Sequence, residues 1–312
     1  MNFSSICCIH CDNEGDDIAF EKALKLASQT GAKLDLIAVA EEVPATLLER
    51  LVTLGTEPED LSGEQALKER LSQLASMAQR QGVEATFDVL RGSPFSQIVE
   101  RVAARGHDLV IKPTEPASFM RQVFFGHLDR QLIRRCGCPV WIENPAKWSE
   151  RGRVLAAVDP SPYVDDREAL PERESLNLAI LQTAARVSEV FDAELHVVHV
   201  WSHPLESKLR GRVELSDAAI DAYGESIKHD HQRAFTDLVA PFMQRVTGMR
   251  MLKGHAGEQI ALLAKEESID VIVMGTVCRT GIAGMLIGNT AETVLDCVTC
   301  SVVALKPTPR DE

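Results

Sequence analysis

Short unbroken apolar runs alternate along the chain with longer stretches in which apolar side chains recur at helical spacing. Val271-Ile-Val-Met274 ends in Gly275, and Leu109-Val-Ile111 is a similar run. Unbroken apolarity over so short a run suits a parallel strand covered on both faces. Strands are predicted near Ser5–His10, Lys33–Ala40, Glu84–Arg91, Asp108–Lys112 and Pro139–Glu143. A second set is predicted near Arg153–Asp159, Glu194–Trp201, Met249–Lys253, Val271–Gly275 and Val302–Lys306. Helices are predicted over Asp16–Thr30, Gly63–Gln81, Pro94–Arg105 and His127–Arg135, then over Glu172–Phe191, Ser216–Val246, Glu258–Glu267 and Thr290–Cys297. Ala23, Leu24, Leu26 and Ala27 carry the helical period of the first, and Gly31 suits its C-cap. Leu67, Leu71, Leu74 and Met77 do the same for the second, and Pro94 stands where a first-turn proline is tolerated. Such alternation predicts an α/β fold, with right-handed crossovers and helices on both faces of a parallel sheet.

The pattern occurs twice. Arg91-Gly92 matches Lys253-Gly254, His107-Asp108 matches Ile269-Asp270, Gly126 matches Gly288, and Cys138 matches Cys300, each 162 residues on. Gly31 to Val39 pairs with Asp192 to Val200 at an offset of 161. Two like-folded domains are therefore expected, residues 1–145 and 151–307, joined by a linker from Pro145 to Gly152. Pro160 to Pro171 is an extra loop that the first half lacks.

Charge narrows the choice of partner. The net charge is -13, and it is evenly spread: residues 1–150 carry 16 basic and 22 acidic side chains, the remainder 17 and 24. An acidic surface repels DNA and anionic membrane, so neither is expected as a partner. No apolar run approaches the ~18–20 residues that span a bilayer. The N-terminus lacks the basic segment of a signal peptide, which makes the cytoplasm the expected compartment. The eight cysteines read most simply as reduced, buried thiols.

Chemistry concentrates between Asp270 and Pro307. A buried strand runs into a Gly-bearing loop and then a helix start, and backbone amides so placed suit a phosphate or another anion. The residues Gly275-Thr-Val-Cys-Arg-Thr-Gly281, Gly288-Asn-Thr-Ala-Glu292 and Cys300-Ser-Val-Val303 resemble the signature of the universal stress protein superfamily. With two such domains in tandem, the resemblance covers nearly the full length. It implies Rossmann-like domains of the adenine nucleotide alpha hydrolase-like type, each with five parallel strands in the order 3-2-1-4-5. It also implies that the two domains pair within the chain as a pseudo-dimer, that a further homodimer is an option, and that the role is non-catalytic survival of stress such as DNA damage.

Some members of that family bind ATP through Gly, two residues, Gly, nine residues, then Gly and Ser/Thr. Here Gly275 and Gly288 keep their places, Cys278 replaces the middle Gly, and Asn289 replaces Ser/Thr. Asp159 matches the strand-end Asp that contacts the nucleoside. The resemblance thus makes Asp159, Gly275, Thr276, Arg279, Gly288, Asn289 and Thr290 the candidate contacts for ATP or AMP in a degenerate C-terminal site. In the first half Lys112-Pro-Thr114 stands where Met-Gly-Thr is expected, and His10 or Cys11 replaces the Asp, so no nucleotide is expected there.

Other motifs weigh less. On a strand Cys7 and Cys11 face one side while Cys8 and His10 face the other, so they do not converge on one ion. Cys136-Gly-Cys138 and Cys297-Val-Thr-Cys300 occupy equivalent helix-to-strand corners, and a structural zinc would require the two corners to meet. The reading preferred to any metal is buried thiols, although Cys278, beside a helix start, has the setting of a redox-sensitive thiol. His196 and His199 lie on opposite faces of a strand. His229-Asp-His231 reads as a solvated helix face, His203 as a residue bordering a pocket, and His255 as a cap or an aid to an anion. No Ser/His/Asp, Cys/His or paired-carboxylate arrangement supports catalysis. The helix predicted over Ser216–Val246 is only partly periodic, which leaves two further readings: a carrier of an apolar or acyl-bearing ligand, or a structural and signalling module with an empty pocket.

Overall fold

The computed structural model describes residues 3–40, 63–115, 125–146, 148–163, 170–202, 216–276 and 288–307. The first half contains β1 (Ser5–His10), α1 (Asp16–Thr30), β2 (Lys33–Ala40), α2 (Glu64–Arg80), β3 (Ala85–Arg91), α3 (Pro94–Arg105), β4 (Leu109–Pro113), α4 (His127–Arg135) and β5 (Val140–Glu143). The second contains β6 (Arg153–Val158), α5 (Leu170–Phe191), β7 (Glu194–Trp201), α6 (Asp217–Val239), a 3-10 turn (Ala240–Phe242), β8 (Val246–Lys253), α7 (Ala256–Glu266), β9 (Val271–Gly275), α8 (Asn289–Cys297) and β10 (Ser301–Leu305).

All ten strands form one sheet in the order β3-β2-β1-β4-β5-β10-β9-β6-β7-β8. Pairing is parallel within each half, as unbroken apolar strands buried on both faces require. One core packs Phe20, Leu71, Leu176 and Phe235 of α1, α2, α5 and α6 on one face of the sheet. The other packs Ile98, Leu132, Ile260 and Val294 of α3, α4, α7 and α8 on the opposite face.

The halves meet where the sheet stops being parallel. β5 and β10 run antiparallel, with Trp141 opposite Val303 and Ile142 opposite Val302. Two edge strands that would otherwise expose unpaired amides close on one another. Trp148 is part of that seam, stacked on Trp141 at 6.3 Å, tilted on Phe191 at 5.1 Å, and covered by Lys22 Nζ 3.5 Å from its ring centre.

Two predicted elements and the setting of one histidine are corrected. The helix expected to reach Val246 ends at Val239, because Pro241 lacks the N–H that would continue it; β8 then begins at Val246 rather than Met249. On α6 the buried stripe is Ile220, Ile227, His231, Phe235 and Val239, while Ala218, Ala219 and Ala222 face solvent. Phe235 and Val239 of that stripe belong to the core on this face of the sheet. His231 is therefore not on a solvated face: it is buried, while its neighbour His229 is exposed.

Candidate functional site

In such sheets ligands sit beyond the carboxyl ends of the strands, beside the central crossover. In the second half β6 delivers Asp159 to that position. Its N–H donates to Asn177 Oδ1 at 2.9 Å, and its carbonyl accepts from Asn177 Nδ2 and Arg173 Nε, both at 2.9 Å. Its carboxylate forms an ion pair with Arg173 at 2.9 Å, where the aspartate side chain is 42% exposed. Asp159 is thus oriented by α5 on every polar atom of its backbone, and its side chain is neutralised.

Next to it, β7 and α6 join two histidines. His199 Nδ1 lies 3.3 Å from the Val158 carbonyl, and His199 Nε2 lies 2.9 Å from His231 Nδ1. A carbonyl only accepts, so His199 carries its proton on Nδ1, and Nε2 receives the N–H of His231. Burial pushes His199 down to about 4 and lowers His231 as well, so both rings are neutral near pH 7. Trp201 and Tyr163 lie 5.9 Å and 5.7 Å from the His231 ring, and Tyr163 donates to Asp230 at 2.7 Å. That hydrogen bond holds the Tyr163 hydroxyl up to about 12. The result is a packed cluster of flat, uncharged rings beside one carboxylate, in which His199, His231 and Trp201 are buried and Tyr163 is exposed.

The remaining candidates have mixed roles. Gly275 is glycine because α5 crosses it: a Cβ there would meet Leu176 Cδ2 at 2.6 Å. Thr276 is buried, and its N–H and hydroxyl both donate to the Leu305 carbonyl, at 2.9 and 3.1 Å. Its side chain holds β9 to β10 and is not presented to a ligand. Gly288 is the N-cap of α8, with Asn289 and Thr290 exposed in the first turn. Gly257 lies beneath that turn, where an added Cβ would meet Thr293 Cβ at 2.5 Å and the Thr290 carbonyl at 3.1 Å. His255 is the N-cap of α7 and makes no side-chain capping bond. Arg279, Cys278 and His203 lie outside the described residues.

The first half fills the same place with its own side chains. Lys112 and Asp129, both fully buried, pair at 2.8 Å where the second half has Met274 and Ala291. Asp129 also accepts the Gly126 N–H at 2.9 Å, and Glu115 Oε1 accepts the Leu128 N–H at 3.1 Å. A carboxylate of the chain therefore sits at the N-terminus of α4, where an anion would bind. At the strand end His10 faces Asp16 at 3.3 Å, and Asp16 accepts the N–H groups of Cys11 and Asn13.

Sequence reasoning missed Arg173, Asn177, His231, Tyr163 and Glu115. The first two had a readable signal, polar residues four apart at the start of an apolar helix (i, i+4). For His231 the signal was the spacing Ile220, Ile227, His231, Phe235, which puts it on the apolar stripe.

A family model described as the Universal stress protein family matches residues 3–142 and again 173–306. Universal stress protein E of Escherichia coli (strain K12) is 31% identical over 219 residues, 70% of this chain and 67% of that one. Its namesake in Photorhabdus laumondii is 26% identical over 315 residues, 98% of this chain and 96% of that one. Among solved structures, a functionally unknown protein from Pseudomonas aeruginosa PAO1 superposes with a TM-score of 0.73 at 24% identity, covering 98% of this chain and 93% of that one. A universal stress protein from Archaeoglobus fulgidus gives 0.61 at 17% identity, covering 100% and 98%. Among the described residues no helix is long and apolar enough to cross a membrane.

Proposed function

Since the chain belongs to the universal stress protein family, matched once in each half, we propose that it is a non-catalytic, cytoplasmic protein supporting survival under stress, DNA damage included, with one ligand-responsive site in its C-terminal half. The observation that carries this reading is the contrast between the halves. The N-terminal site is closed by Lys112–Asp129 and by Glu115 on the α4 amides. The C-terminal half has apolar Met274 and Ala291 at the ion-pair positions and an exposed first turn on α8. An adenine nucleotide, ATP or AMP, would lay its base on the exposed Tyr163 ring, its ribose near Asp159, and its phosphates at the amides of Gly288 to Thr290 with Arg279. Hydrogen bonds to charged groups are each worth ~1.5–3 kcal/mol, so Cys278 and Asn289 set whether binding is measurable.

Calorimetric titration with ATP tests this. Binding is expected, weakened about tenfold or more by Asp159→Ala and unaffected by Glu115→Gln. Binding gained only in Cys278→Gly would mean that Cys278 closes the site. Absence of binding in both proteins overturns the reading in favour of a second one, a structural and signalling module without a nucleotide. The Arg173–Asp159 pair and the committed hydroxyl of Thr276 favour that second reading.

A further inference from the structure

The turn between α4 and β5 brings two sulfurs together. Cys136 is the C-cap of α4, and its Sγ lies 3.7 Å from the Sγ of Cys138. Both thiols are buried, yet Gly137 between them is exposed, with nothing within 4 Å of the place a Cβ would occupy. The turn that carries the pair is thus open to solvent at Gly137. Lys306 reaches across from the C-terminal half and donates to the carbonyls of Arg134 and Cys136, at 2.7 and 2.6 Å. It places a cation at the negative end of α4, where a thiolate would otherwise be disfavoured.

We propose that Cys136 and Cys138 form a peroxide-reactive dithiol that closes to an intramolecular disulfide. This goes beyond the nucleotide reading and does not depend on it. The Cys136 thiolate attacks one oxygen of hydrogen peroxide; the O–O bond breaks, and hydroxide leaves with the proton that Cys136 gave up, as water. The product is a sulfenic acid on Cys136. The sulfur of Cys138 then attacks the Cys136 sulfur, and the S–O bond breaks. The departing hydroxyl takes the Cys138 proton as a second water. Two sulfurs lose two electrons in all, and the peroxide gains them. The S–H of Cys138, together with backbone amides and the Lys306 charge, outweighs burial and holds Cys136 down to about 7. Cys138 is held well above the usual thiol range, so it keeps its proton until the second step. In the other thiols burial prevails: it pushes Cys8 well above the usual thiol range, so that it stays a thiol, and Cys11 and Cys300 up to about 12.

The test uses the full chain. Trypsin releases residues 136–147 as a peptide whose two cysteines are Cys136 and Cys138, while Cys7, Cys8 and Cys11 fall in residues 1–22. After graded hydrogen peroxide and alkylation of remaining thiols, peptide 136–147 is expected to become about 2 Da lighter than its reduced form and to resist alkylation. It should do so about tenfold faster or more than peptide 1–22 loses its thiols. In Cys138→Ser, dimedone should trap the sulfenic acid on Cys136. Should peptide 136–147 stay fully alkylatable in the wild type while exposed Cys297 is oxidised, the proposal is overturned. A wild-type sulfenic acid that never proceeds to the disulfide overturns it as well.

Discussion

Arg130 of α4 donates to Asp296 of α8 at 2.6 Å, and Arg134, one turn on, meets Glu292 at 2.9 Å. Arg130 and Glu292 are repeat equivalents, 162 residues apart, and so are Arg134 and Asp296. The contact is thus the isologous one of a two-fold pair, residue i on j and j on i, but with its charges sorted by domain. Two C-terminal halves meeting through this face would oppose four carboxylates, and two N-terminal halves four guanidinium groups. The seam favours one half of each kind.

Reversing the arginines tests that sorting. Arg130→Glu with Arg134→Glu is expected to lower stability in urea by about 1–2 kcal/mol, since exposed pairs contribute only ~0.2–1 kcal/mol each. Adding Glu292→Arg and Asp296→Arg should recover most of the loss. Recovery in the fourfold variant, compared at equal ionic strength, is the deciding measurement.

The buried pair in the first half has a built-in reference in the second. Lys112→Met alone leaves Asp129 charged in the core, and about 3–5 kcal/mol of stability should be lost. Lys112→Met with Asp129→Ala copies the Met274 and Ala291 of the second half and should lie closer to the wild type than either single variant. Asp129 also receives the Gly126 N–H, so part of its loss persists. A double variant no better than the worse single one would contradict the account.

Acid should loosen the C-terminal half through His199. Its pKa is depressed to about 4 in the fold, below the ordinary histidine value of 6.5. The unfolded chain therefore binds the proton first, so stability is intact above pH 6.5 and falls as pH drops through 4. The size is roughly 3 kcal/mol. Chemical denaturation of the wild type and His199→Gln across pH 4–7 should show the variant with the flatter profile.

Glu143 works in the opposite direction at the seam. It is fully buried and accepts from Trp141 Nε1 at 2.6 Å, and burial raises it from 4.5 to about 7. A raised folded pKa means a stability contribution that is present below pH 4.5 and lost as pH rises through about 7. Glu143→Gln should therefore gain on the wild type as pH rises, by roughly 3 kcal/mol at most. Equal slopes for the two proteins between pH 5 and 8 would exclude ionisation at this position.

Gly257 links α7 to the anion end of α8. A methyl there collides with Thr293 Cβ and approaches the Thr290 carbonyl. Gly257→Ala is expected to cost about 1–3 kcal/mol by overpacking and, by moving the α8 first turn, to weaken any nucleotide affinity. Thermal unfolding and ATP titration of the same preparation report both effects.

Read as a sequence alone, the chain determined its strands and most of its helices, its repeat and its family. Those signals are local or periodic: Val271 to Met274 is unbroken, and Gly31 ends a helix whichever domain it belongs to. Where Pro241 interrupts the apolar pattern, reading continued one helix too far, since periodicity alone does not register a missing N–H.

Only the tertiary structure decided what the polar residues do. Nothing local distinguishes Asp159 free for a ligand from Asp159 held by Arg173, or His231 in solvent from His231 bonded to a histidine 32 residues away on β7. The hydrogen bond from the Leu128 N–H to Glu115, and the 3.7 Å approach of Cys136 to Cys138, are likewise matters of position in space. Burial and partnership set pKa, charge and availability, and they arise only when elements distant in sequence pack together.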